Sequence, residues 1–278
     1  MVADQEDKAL AGTKAARMEQ RTTQETKDLI ERAAALLGIN ASEFTVVAAA
    51  KAARQTLKEY RGTAITREDH EAFLKALDAT EPTAELRELR NVASLERCAS
   101  GKMIDHSFLA RVRIEPLDRK KHDRAAFSCG DERLDNFIKK SAGGQQEQDL
   151  ARVQVSCLDA SHVVIGYYAL NSHSIDVTTL PEPDRKRLPS YPTIPAIYLS
   201  KIGVHYEHQG CGLGQHMMNH ALNRCLDVAN IIGAHFVVLD ALNDRAARLY
   251  RRLGFVDLPG HEPRMLVKMS IIRKAAGR

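Results

Sequence analysis

Residues 209–214, Gln-Gly-Cys-Gly-Leu-Gly (QGCGLG), lie between an apolar stretch that ends at Val204 and a long run with helical spacing. Alternate glycines let a ligand approach the main chain closely, because glycine has no side chain. The first N–H groups of a helix lack partners within the helix and attract anions such as phosphate. The stretch therefore predicts a strand, a tight loop and a helix that together bind an anionic ligand.

The glycine spacing does not fit two common phosphate-binding motifs. No Gly-Lys-Ser/Thr follows the loop, as a P-loop requires. The order G-C-G-L-G also lacks the G-x-G-x-x-G spacing of a dinucleotide fingerprint, and no acidic residue ends a strand about 20 residues later in a βαβ unit. A glycine-rich turn without a ligand is the alternative interpretation.

A second pattern at residues 243–255, NDRAARLYRRLGF, identifies the ligand through a resemblance. The two stretches resemble the GNAT acetyltransferase motifs Gln/Arg-x-x-Gly-x-Gly/Ala and Asn-x-x-Ala-x-x-Leu-Tyr-x-x-x-Gly-Phe. The resemblance covers roughly residues 108–272 and is nearest to the toxin subgroup. The stretches FSCGDERLDNFIKKSAGGQQEQ, GYYAL, LPSYPTIPAIYLSKIGV and VVLDALN support that subgroup.

The resemblance implies an acetyl-CoA-dependent acyltransferase that needs no metal. The thioester and the pantetheine arm are expected at main-chain N–H groups of Ile202, Gly203 and Val204, and the pantetheine also at Asn243. Tyr250 is expected to protonate the coenzyme A thiolate, with a purely packing tyrosine as the alternative. The pyrophosphate is expected on the loop formed by Gln209, Gly210, Cys211, Gly212, Leu213 and Gly214.

The beginning of the chain has a different pattern. Residues 15–21 (AARMEQR) alternate so that Arg17, Glu19 and Arg21 share one face of a predicted strand. Two such strands paired antiparallel form a ribbon that fits a DNA major groove. An edge strand with ordinary surface charges is the alternative.

Two helices are predicted after this strand. Thr22 and Glu25 indicate a capping box for the first helix, and Gly38 is expected to end it. Ser42 is expected to cap a second helix that runs to about Tyr60. One strand and two short helices bury too little apolar area to fold alone, so a homodimer or higher homo-oligomer is expected.

This order of elements, with its Gly-Ile-Asn turn at residues 38–40, resembles the ribbon–helix–helix antitoxins of the TacA-like family. The resemblance implies that the outward strand side chains, Arg17, Glu19 and Arg21, read operator DNA. It also implies that the N-terminus of the second helix, where Ser42 lies, contacts a phosphate. A protein of this family represses its own operon.

The predicted fold class is α+β, with two modules that are normally separate proteins. Residues 1–61 are expected to be the dimerising ribbon–helix–helix domain, and residues 62–95, with a short helix capped by Thr66, to wrap and neutralise the toxin. A solvated linker helix is the alternative for that segment. Residues 96–107 are expected to be a linker. Residues 108–278 are expected to form the GNAT fold, a mixed and largely antiparallel sheet flanked by helices.

GNAT toxins of the subgroup that this module resembles acetylate the α-amine of amino acids charged on tRNA, which stops translation. The resemblance therefore implies a toxin–antitoxin fusion that acts on aminoacyl-tRNA, is restrained by its own first module and binds operator DNA. Two alternatives stay open. One is a DNA-binding regulator with an acetyl-CoA-sensing GNAT domain, and the other is an N-acetyltransferase of small molecules or proteins.

The cysteine pattern and the lack of long apolar runs are typical of a protein of the reducing cytoplasm. The five cysteines form no C-x-x-C pair, which argues against a disulfide framework or a zinc site. No apolar run approaches the roughly 20 residues of a membrane span, and no signal peptide is recognisable.

Basic residues that could contact tRNA phosphates are Lys139, Lys140, Arg185, Lys186, Arg187, Arg251 and Arg252.

Overall fold

The computed structural model describes residues 19–90, 103–188 and 191–277. The chain divides into two compact units, one that ends at Leu57 and one that begins at Lys58. Of the predicted DNA-reading residues, Arg17 lies outside the described residues, whereas Glu19 and Arg21 are exposed and belong to no strand. The predicted ribbon strand therefore stays a prediction.

The first unit contains helix α1, Gln24–Leu36, and most of helix α2, Ala41–Arg61. The cap of α1 is Thr23, whose Oγ1 accepts from the Thr26 N–H at 3.3 Å, so the predicted cap at Thr22 is wrong by one residue. Thr23 has the extended backbone (ψ 157°) that an N-cap needs. Gly38 follows the helix with φ +71°, which confirms its predicted role at the helix end.

Helix α2 is capped by Asn40, not by Ser42. The Asn40 Oδ1 accepts from the Glu43 N–H at 2.8 Å, which places Ser42 inside the first turn. Asparagine and serine are both strong capping residues, and here the one nearer the Gly38 turn occupies the position. Ser42 is exposed on this first turn.

Large apolar side chains of the first unit face outward. Leu29, Leu36 and Leu57 are 60%, 88% and 58% exposed, and only Ala34 is buried among the residues of α1. This part of the chain, as described, does not bury its own apolar faces. No single helix of the described residues is long and apolar enough to cross a membrane, and the pair α1 and α2 meets the length and composition only when joined across a 94° bend.

The second unit is a mixed sheet with helices on its faces. Its strands are β1 Gly62–Ala64, β2 Val112–Pro116, β3 Arg152–Leu158, β4 Gly166–Asp176, β5 Thr193–Val204, β6 Phe236–Asp240, β7 Val256–Asp257 and β8 Arg264–Lys268. Its helices are α3 His70–Asp78, α4 Ala84–Arg90, α5 His106–Ala110, α6 Glu132–Asn136, α7 Ala142–Glu147, α8 Glu182–Arg185, α9 Leu213–Ile232, α10 Asp244–Arg252 and α11 Met269–Ala275. A π-helical turn, Phe137–Ser141, joins α6 to α7.

The sheet order is β2-β3-β4-β5-β6-β8-β7, and β1 pairs with β4 beside this path. Only β5–β6 and β1–β4 are parallel, so the predicted mixed, largely antiparallel sheet is confirmed. The sequence of the last apolar run, RMLVKMSII (residues 264–272), predicts a single strand. The structure instead forms β8 followed by α11, because the chain turns helical at Met269.

The segment after α2 joins the sheet directly. Strand β3 pairs with β4 over residues 166–170, whereas β1 pairs with Ser174–Asp176 at the far end of the same edge. Addition of such a strand satisfies main-chain N–H and C=O groups that an edge would otherwise expose. The Thr66 N–H and Oγ1 donate to Asp69 at 2.9 and 2.7 Å in a turn before α3, so Thr66 does not cap that helix as predicted.

Helices α3 and α4 bury apolar side chains in the core of the second unit. Phe73 of α3 is fully buried against Phe236 of β6, with ring centroids 5.5 Å apart. Leu86 and Leu89 of α4 are 1% and 2% exposed and belong to the same apolar cluster as Met218 of α9. Residues 62–90 therefore form an integral layer of this unit.

Candidate functional site

The site begins where two parallel strands separate. Strand β6 pairs with β5 only over Ala196–Leu199, whereas β5 continues to Val204. A bulge lies in the β4–β5 pairing, where Leu170 faces Leu199 but Ala169 faces Lys201. The end of β5 therefore leaves a cleft on its β6 side, which exposes main-chain groups to a ligand.

The glycine loop closes one end of this cleft. Gly210 and Gly212 have φ +83° and +93°, a conformation that L side chains rarely adopt. Gly212 is the N-cap of α9 and has no side chain, so no capping side chain occupies the place of an anion at this helix start. The Gln209 Nε2 donates to the carbonyls of Cys129 and Val204, both at 3.0 Å, and so ties the loop to β5.

A cavity of about 790 Å³ occupies the cleft. Seven of the predicted site residues line it, namely Ile202, Gly203, Val204, Gln209, Gly214, Asn243 and Tyr250. Four do not line it, namely Gly210, Cys211, Gly212 and Leu213. Leu213 is fully buried in the core, and the Cys211 thiol lies 2.9 Å from the His208 carbonyl, so these two side chains serve the fold.

Asn243 has a structural task besides the predicted contact with pantetheine. Its Oδ1 accepts from the Ala246 N–H at 3.0 Å and caps α10. Its amide nitrogen remains available to a ligand, whereas its main-chain carbonyl accepts from the Ala247 N–H at 2.9 Å. The cap orients α10, and α10 carries Tyr250 into the cleft.

Tyr250 lies at two cavities. It lines the 790 Å³ cavity and also a second cavity of about 300 Å³ at the end of β6. Burial raises the pKa of Tyr250 to about 12, so the phenol stays protonated at neutral pH. No described residue accepts or donates a hydrogen bond at its hydroxyl, which leaves the proton available for transfer.

Three arginines of α10 also line the larger cavity, where the sequence did not predict them. Arg245, Arg248 and Arg252 recur at helical spacing on one face. Among the described residues, Arg245 and Arg248 form no ion pair, whereas Arg252 lies 3.3 Å from Glu85 of α4. The spacing was the signal that could have identified them as phosphate-binding candidates.

Helix α4 forms another wall of the larger cavity. Glu85, Glu88 and Leu89 line it, so the segment expected to neutralise the toxin lies at the expected cofactor site. Arg90 at the end of this helix donates to the Asn219 carbonyl of α9 at 3.4 Å. These contacts hold α4 along the opening of the cleft.

Several basic residues considered for tRNA are engaged elsewhere. Arg251 forms a bidentate ion pair with Asp257 at 2.6 and 2.8 Å, and Arg187 pairs with Asp78. In contrast, Lys139 and Lys140 form no ion pair with any residue that the structure describes. Lys186 forms an ion pair with Glu182, and Arg185 donates a hydrogen bond to the Thr178 carbonyl.

One group of described side chains has the composition of a metal site. Ligand atoms of Glu115, His122 and Cys157 lie within 4.8 Å of one another. The His122 Nδ1 accepts from the Asp118 N–H at 2.9 Å, so its Nε2 carries the proton that it donates to Glu115 at 3.1 Å. Lys121 holds the other Glu115 oxygen at 2.7 Å, which makes this group a charged hydrogen-bond network without a free ligand set.

Substitution of Gly212 by Ala is expected to damage the glycine loop. The new Cβ would lie 3.0 Å from Ile104 Cγ2 in a backbone with φ +93°, and such strain costs about 1–3 kcal/mol. We expect a lower melting temperature and at least roughly tenfold weaker acetyl-CoA binding by calorimetry. Gly144→Ala is the matched control, because space around Gly144 is open. Equal acetyl-CoA affinity in Gly212→Ala and its parent would contradict this role.

Comparison with known proteins places the two parts of the chain in different families. Residues 17–97 match the family model described as antitoxin TacA 1-like, and residues 157–257 match the acetyltransferase (GNAT) domain. A probable toxin TacT of Sinorhizobium fredii is 40% identical over 171 residues, which are 59% of this chain and 94% of the relative. A probable antitoxin TacA of the same organism is 41% identical over 73 residues, which are 26% of this chain and 68% of the relative.

Further relatives carry more specific names. A tRNA-acetylating toxin of Mycobacterium tuberculosis is 32% identical over 155 residues, which are 56% of this chain and 91% of that protein. The solved structure of AtaTR bound with AcCoA is 27% identical with a TM-score of 0.55. That of AtaT complexed with acetyl-methionyl-tRNAfMet is 27% identical with a TM-score of 0.53. Each of these two matches covers 59% of this chain and 98% of the neighbour.

Proposed function

This chain belongs to the TacT family of GNAT acetyltransferase toxins, preceded by a region of the TacA antitoxin family, and we propose that it is a toxin–antitoxin fusion. Its second unit transfers acetyl from acetyl-CoA to the α-amine of aminoacyl-tRNA, which blocks translation in the cytoplasm. Its TacA-like part restrains that activity and binds operator DNA. The observation that carries this proposal is that Tyr250 lines two cavities, one of which α4 also lines.

Acetyl-CoA fits the larger cavity by charge and by main-chain geometry. The start of α9, which no side chain caps, binds the pyrophosphate. The side of β5 that no longer pairs with β6, at residues 202–204, binds the pantetheine and the thioester carbonyl. Arg245 and Arg248 line the cavity without an acidic partner among the described residues and supply further phosphate contacts. No residue of this set requires a metal.

The reaction proceeds by direct transfer. A neutral α-amine attacks the thioester carbon from the smaller cavity, a C–N bond forms and the C–S bond breaks. The Tyr250 hydroxyl gives its proton to the leaving thiolate, and the nitrogen releases a proton to solvent, from which Tyr250 is reprotonated. Because both substrates are held in cavities that Tyr250 lines, the attack becomes effectively unimolecular.

Aminoacyl-tRNA is the proposed acceptor because two relatives carry that chemistry in their names. The Mycobacterium tuberculosis relative is a tRNA-acetylating toxin, and AtaT is solved with acetyl-methionyl-tRNAfMet. The basic balance of residues 101–278, 25 Lys and Arg against 19 Asp and Glu, suits a polyanionic acceptor. Lys139 and Lys140, which lack ion-pair partners among the described residues, are the first candidates for its phosphates.

Restraint by the TacA-like segment acts at the cofactor cavity. Leu89 is buried at the wall of that cavity, and Glu85 engages Arg252, which would otherwise face an incoming phosphate. Glu88 adds a second negative charge to the same wall, and negative charge opposes the anionic cofactor. Strand β1 anchors the segment on the sheet and keeps α4 at the cavity, so α4 and acetyl-CoA compete for the same cavity.

The exposed apolar faces of the first unit favour a dimer. Leu29, Leu36 and Leu57 would be covered by a second copy of the chain, which is also what two paired ribbon strands require. A dimer places two copies of Arg17, Glu19 and Arg21 on one DNA surface, with Ser42 near a phosphate. This assembly underlies operator binding and autoregulation.

Arg21→Ala is expected to weaken operator binding. Loss of one arginine contact costs about 1–3 kcal/mol on the specific site and, if the contact is to phosphate, lowers the salt dependence by about one charge. The measurement is a fluorescence-anisotropy titration of DNA from upstream of the reading frame at several salt concentrations. Lys27→Ala, an exposed change on α1 outside the predicted ribbon, serves as the control. An unchanged affinity in Arg21→Ala would remove this residue from the DNA surface.

An acceptor panel tests the proposed function. The full chain is incubated with labelled acetyl-CoA, at a concentration high enough to displace α4 from the cavity, and separately with charged tRNA, deacylated tRNA, free amino acids and a protein mixture. We expect label only on charged tRNA, recovered as N-acetyl amino acid after mild base. Label on free amino acids or proteins would favour a small-molecule or protein N-acetyltransferase. Acetyl-CoA binding without transfer to any acceptor, together with promoter binding that responds to acetyl-CoA, would favour the sensor.

A further inference from the structure

The carboxylate of Asp240 in the smaller cavity is held by hydrogen bonds and is still accessible to a ligand. This cavity of about 300 Å³ lies at the C-terminal end of β6, and Tyr250 and Ile202 line it together with Asp240. Asp240 is the last residue of β6, beyond the point where β5 stops pairing with that strand. Its side chain is 32% exposed.

Buried partners hold the Asp240 carboxylate in place. The Arg264 Nε donates to Oδ1 at 2.8 Å and its Nη2 donates to Oδ2 at 3.1 Å. The Tyr198 hydroxyl donates to Oδ2 at 2.5 Å. These three bonds leave a fourth lone-pair direction of the carboxylate unused by protein groups described here. The carboxylate is thus preorganised, with capacity for one more donor.

The arginine that orients Asp240 is itself fixed by the TacA-like segment. The Arg264 Nη1 donates to the Glu59 carbonyl at 2.9 Å and to Thr63 Oγ1 at 3.0 Å. Thr63 also bonds to the His173 ring at 2.8 Å. Arg264 is therefore held from both ends, which keeps the bidentate pair with Asp240 rigid.

The other charged groups at this cavity have contacts of their own, and the Lys201 charge also acts on Asp240. Asp131 caps α6 by accepting from the Arg133 and Leu134 N–H groups at 2.9 and 3.2 Å, and its other oxygen pairs with Arg133 Nη2 at 2.9 Å. The Lys201 ammonium donates to the Ser200 carbonyl at 2.9 Å. Asp240 is left as the anionic group of this wall that can receive a hydrogen bond from a substrate.

The reaction creates positive charge on this side of Tyr250. When a neutral amine attacks the thioester, its nitrogen becomes cationic until it loses a proton. Fixed dipoles and charges aimed at a developing charge lower the barrier more than they stabilise the ground state. Bonds from Arg264 and Tyr198 keep the pKa of Asp240 below its usual value, although burial opposes this, so the carboxylate stays ionised and is a poor proton acceptor at neutral pH.

We propose that Asp240 binds the acceptor amine through an N–H donated to its free lone pair and stabilises the positive charge that forms on the nitrogen. This inference rests on the proposed acetyl transfer to aminoacyl-tRNA and adds the residue that recognises the amine. Arg264 and Tyr198 are positioning residues for that carboxylate.

The test uses Asp240→Asn in the full chain. Asparagine keeps the shape and removes the charge, so kcat/KM for charged tRNA is expected to fall about 10- to 100-fold while the acetyl-CoA Kd changes less than about twofold. Asp149→Asn, an exposed carboxylate paired with Arg152, is the control and is expected to behave as the parent. An unchanged kcat/KM in Asp240→Asn would overturn the inference.

Asp240→Asn leaves Arg264 buried without its anion and could unfold part of the protein. A ratio of two tRNA affinities measured on the same sample does not depend on the folded fraction. Binding of charged tRNA is compared with binding of the same tRNA after nitrous acid has converted the α-amine to a hydroxyl. The parent is expected to prefer the amine form, and the variant to lose that preference, whatever fraction is folded. A preference equal to that of the parent would overturn the inference. A parent that acetylates no charged tRNA even at saturating acetyl-CoA would instead overturn the proposed function.

Discussion

Tyr250→Phe is expected to reduce acetyl transfer to charged tRNA by about 10²- to 10⁴-fold, the usual contribution of a positioned general acid. The phenol is buried, its pKa is raised to about 12 and its hydroxyl has no partner among the described residues, so it is a protonated donor at neutral pH. Phenylalanine keeps the ring that packs 5.8 Å from the Phe255 ring. The acetyl-CoA Kd and the melting temperature are therefore expected to stay close to those of the parent.

The measurement is single-turnover transfer of labelled acetyl, with binding followed separately by calorimetry. Tyr191→Phe is the matched control, because Tyr191 is 73% exposed and lines neither cavity. Equal transfer rates for Tyr250→Phe and its parent would remove Tyr250 from catalysis. A rate that falls only because acetyl-CoA no longer binds would assign it a binding role.

Leu89→Asp is expected to release the toxin in cells. Leu89 is 2% exposed at the wall of the cofactor cavity, and a carboxylate cannot remain in that apolar cluster. Loss of a buried leucine costs about 3 kcal/mol or more, which is roughly 100-fold in the equilibrium for docking of α4. We expect growth arrest on induction, rescued by the second change Tyr250→Phe.

Leu150→Asp provides the control for this experiment, because Leu150 is 49% exposed and lies away from α4. Growth is followed together with the amount of N-acetylated aminoacyl-tRNA extracted from the cells. Normal growth with Leu89→Asp, at a protein level equal to that of the parent, would show that α4 does not restrain the enzyme. Arrest that persists with Tyr250→Phe would point to toxicity unrelated to transfer.

The local parts of this site follow from the sequence. Glycines at 210, 212 and 214 require a tight turn before a helix, and the apolar periodicity on either side identifies the strand and the helix. The Asn243–Tyr250 spacing places the cap and the phenol on one short helix. These features depend on residues that are close together in the chain, so the sequence alone predicts them.

Other parts depend on contacts between distant residues. Glu85 lies opposite Arg252 because β1 pairs with β4 and α3 packs on the sheet, and no local pattern shows these contacts. In the sequence, Asp240 and Arg264 look like ordinary surface charges. Only the pairing of β6 with β8 brings them together. These partners could not be predicted, because tertiary structure creates the relation between them.

Errors at the caps have a more local cause. Thr22 and Thr23 are equally good capping residues, as are Asn40 and Ser42, and the choice depends on the backbone angles of the preceding turn. The mistaken final strand at Met269 arises because KMSII is apolar enough for a strand and a helix alike. Short apolar runs do not decide between the two.

Competition between α4 and acetyl-CoA is tested most directly by calorimetric titration of acetyl-CoA into the full chain and into its Leu89→Asp variant. The account predicts that both bind and that the variant binds at least about tenfold more tightly, because α4 no longer covers the cavity. Failure of both well-folded proteins to take up acetyl-CoA, or equal affinity in the two, would contradict it.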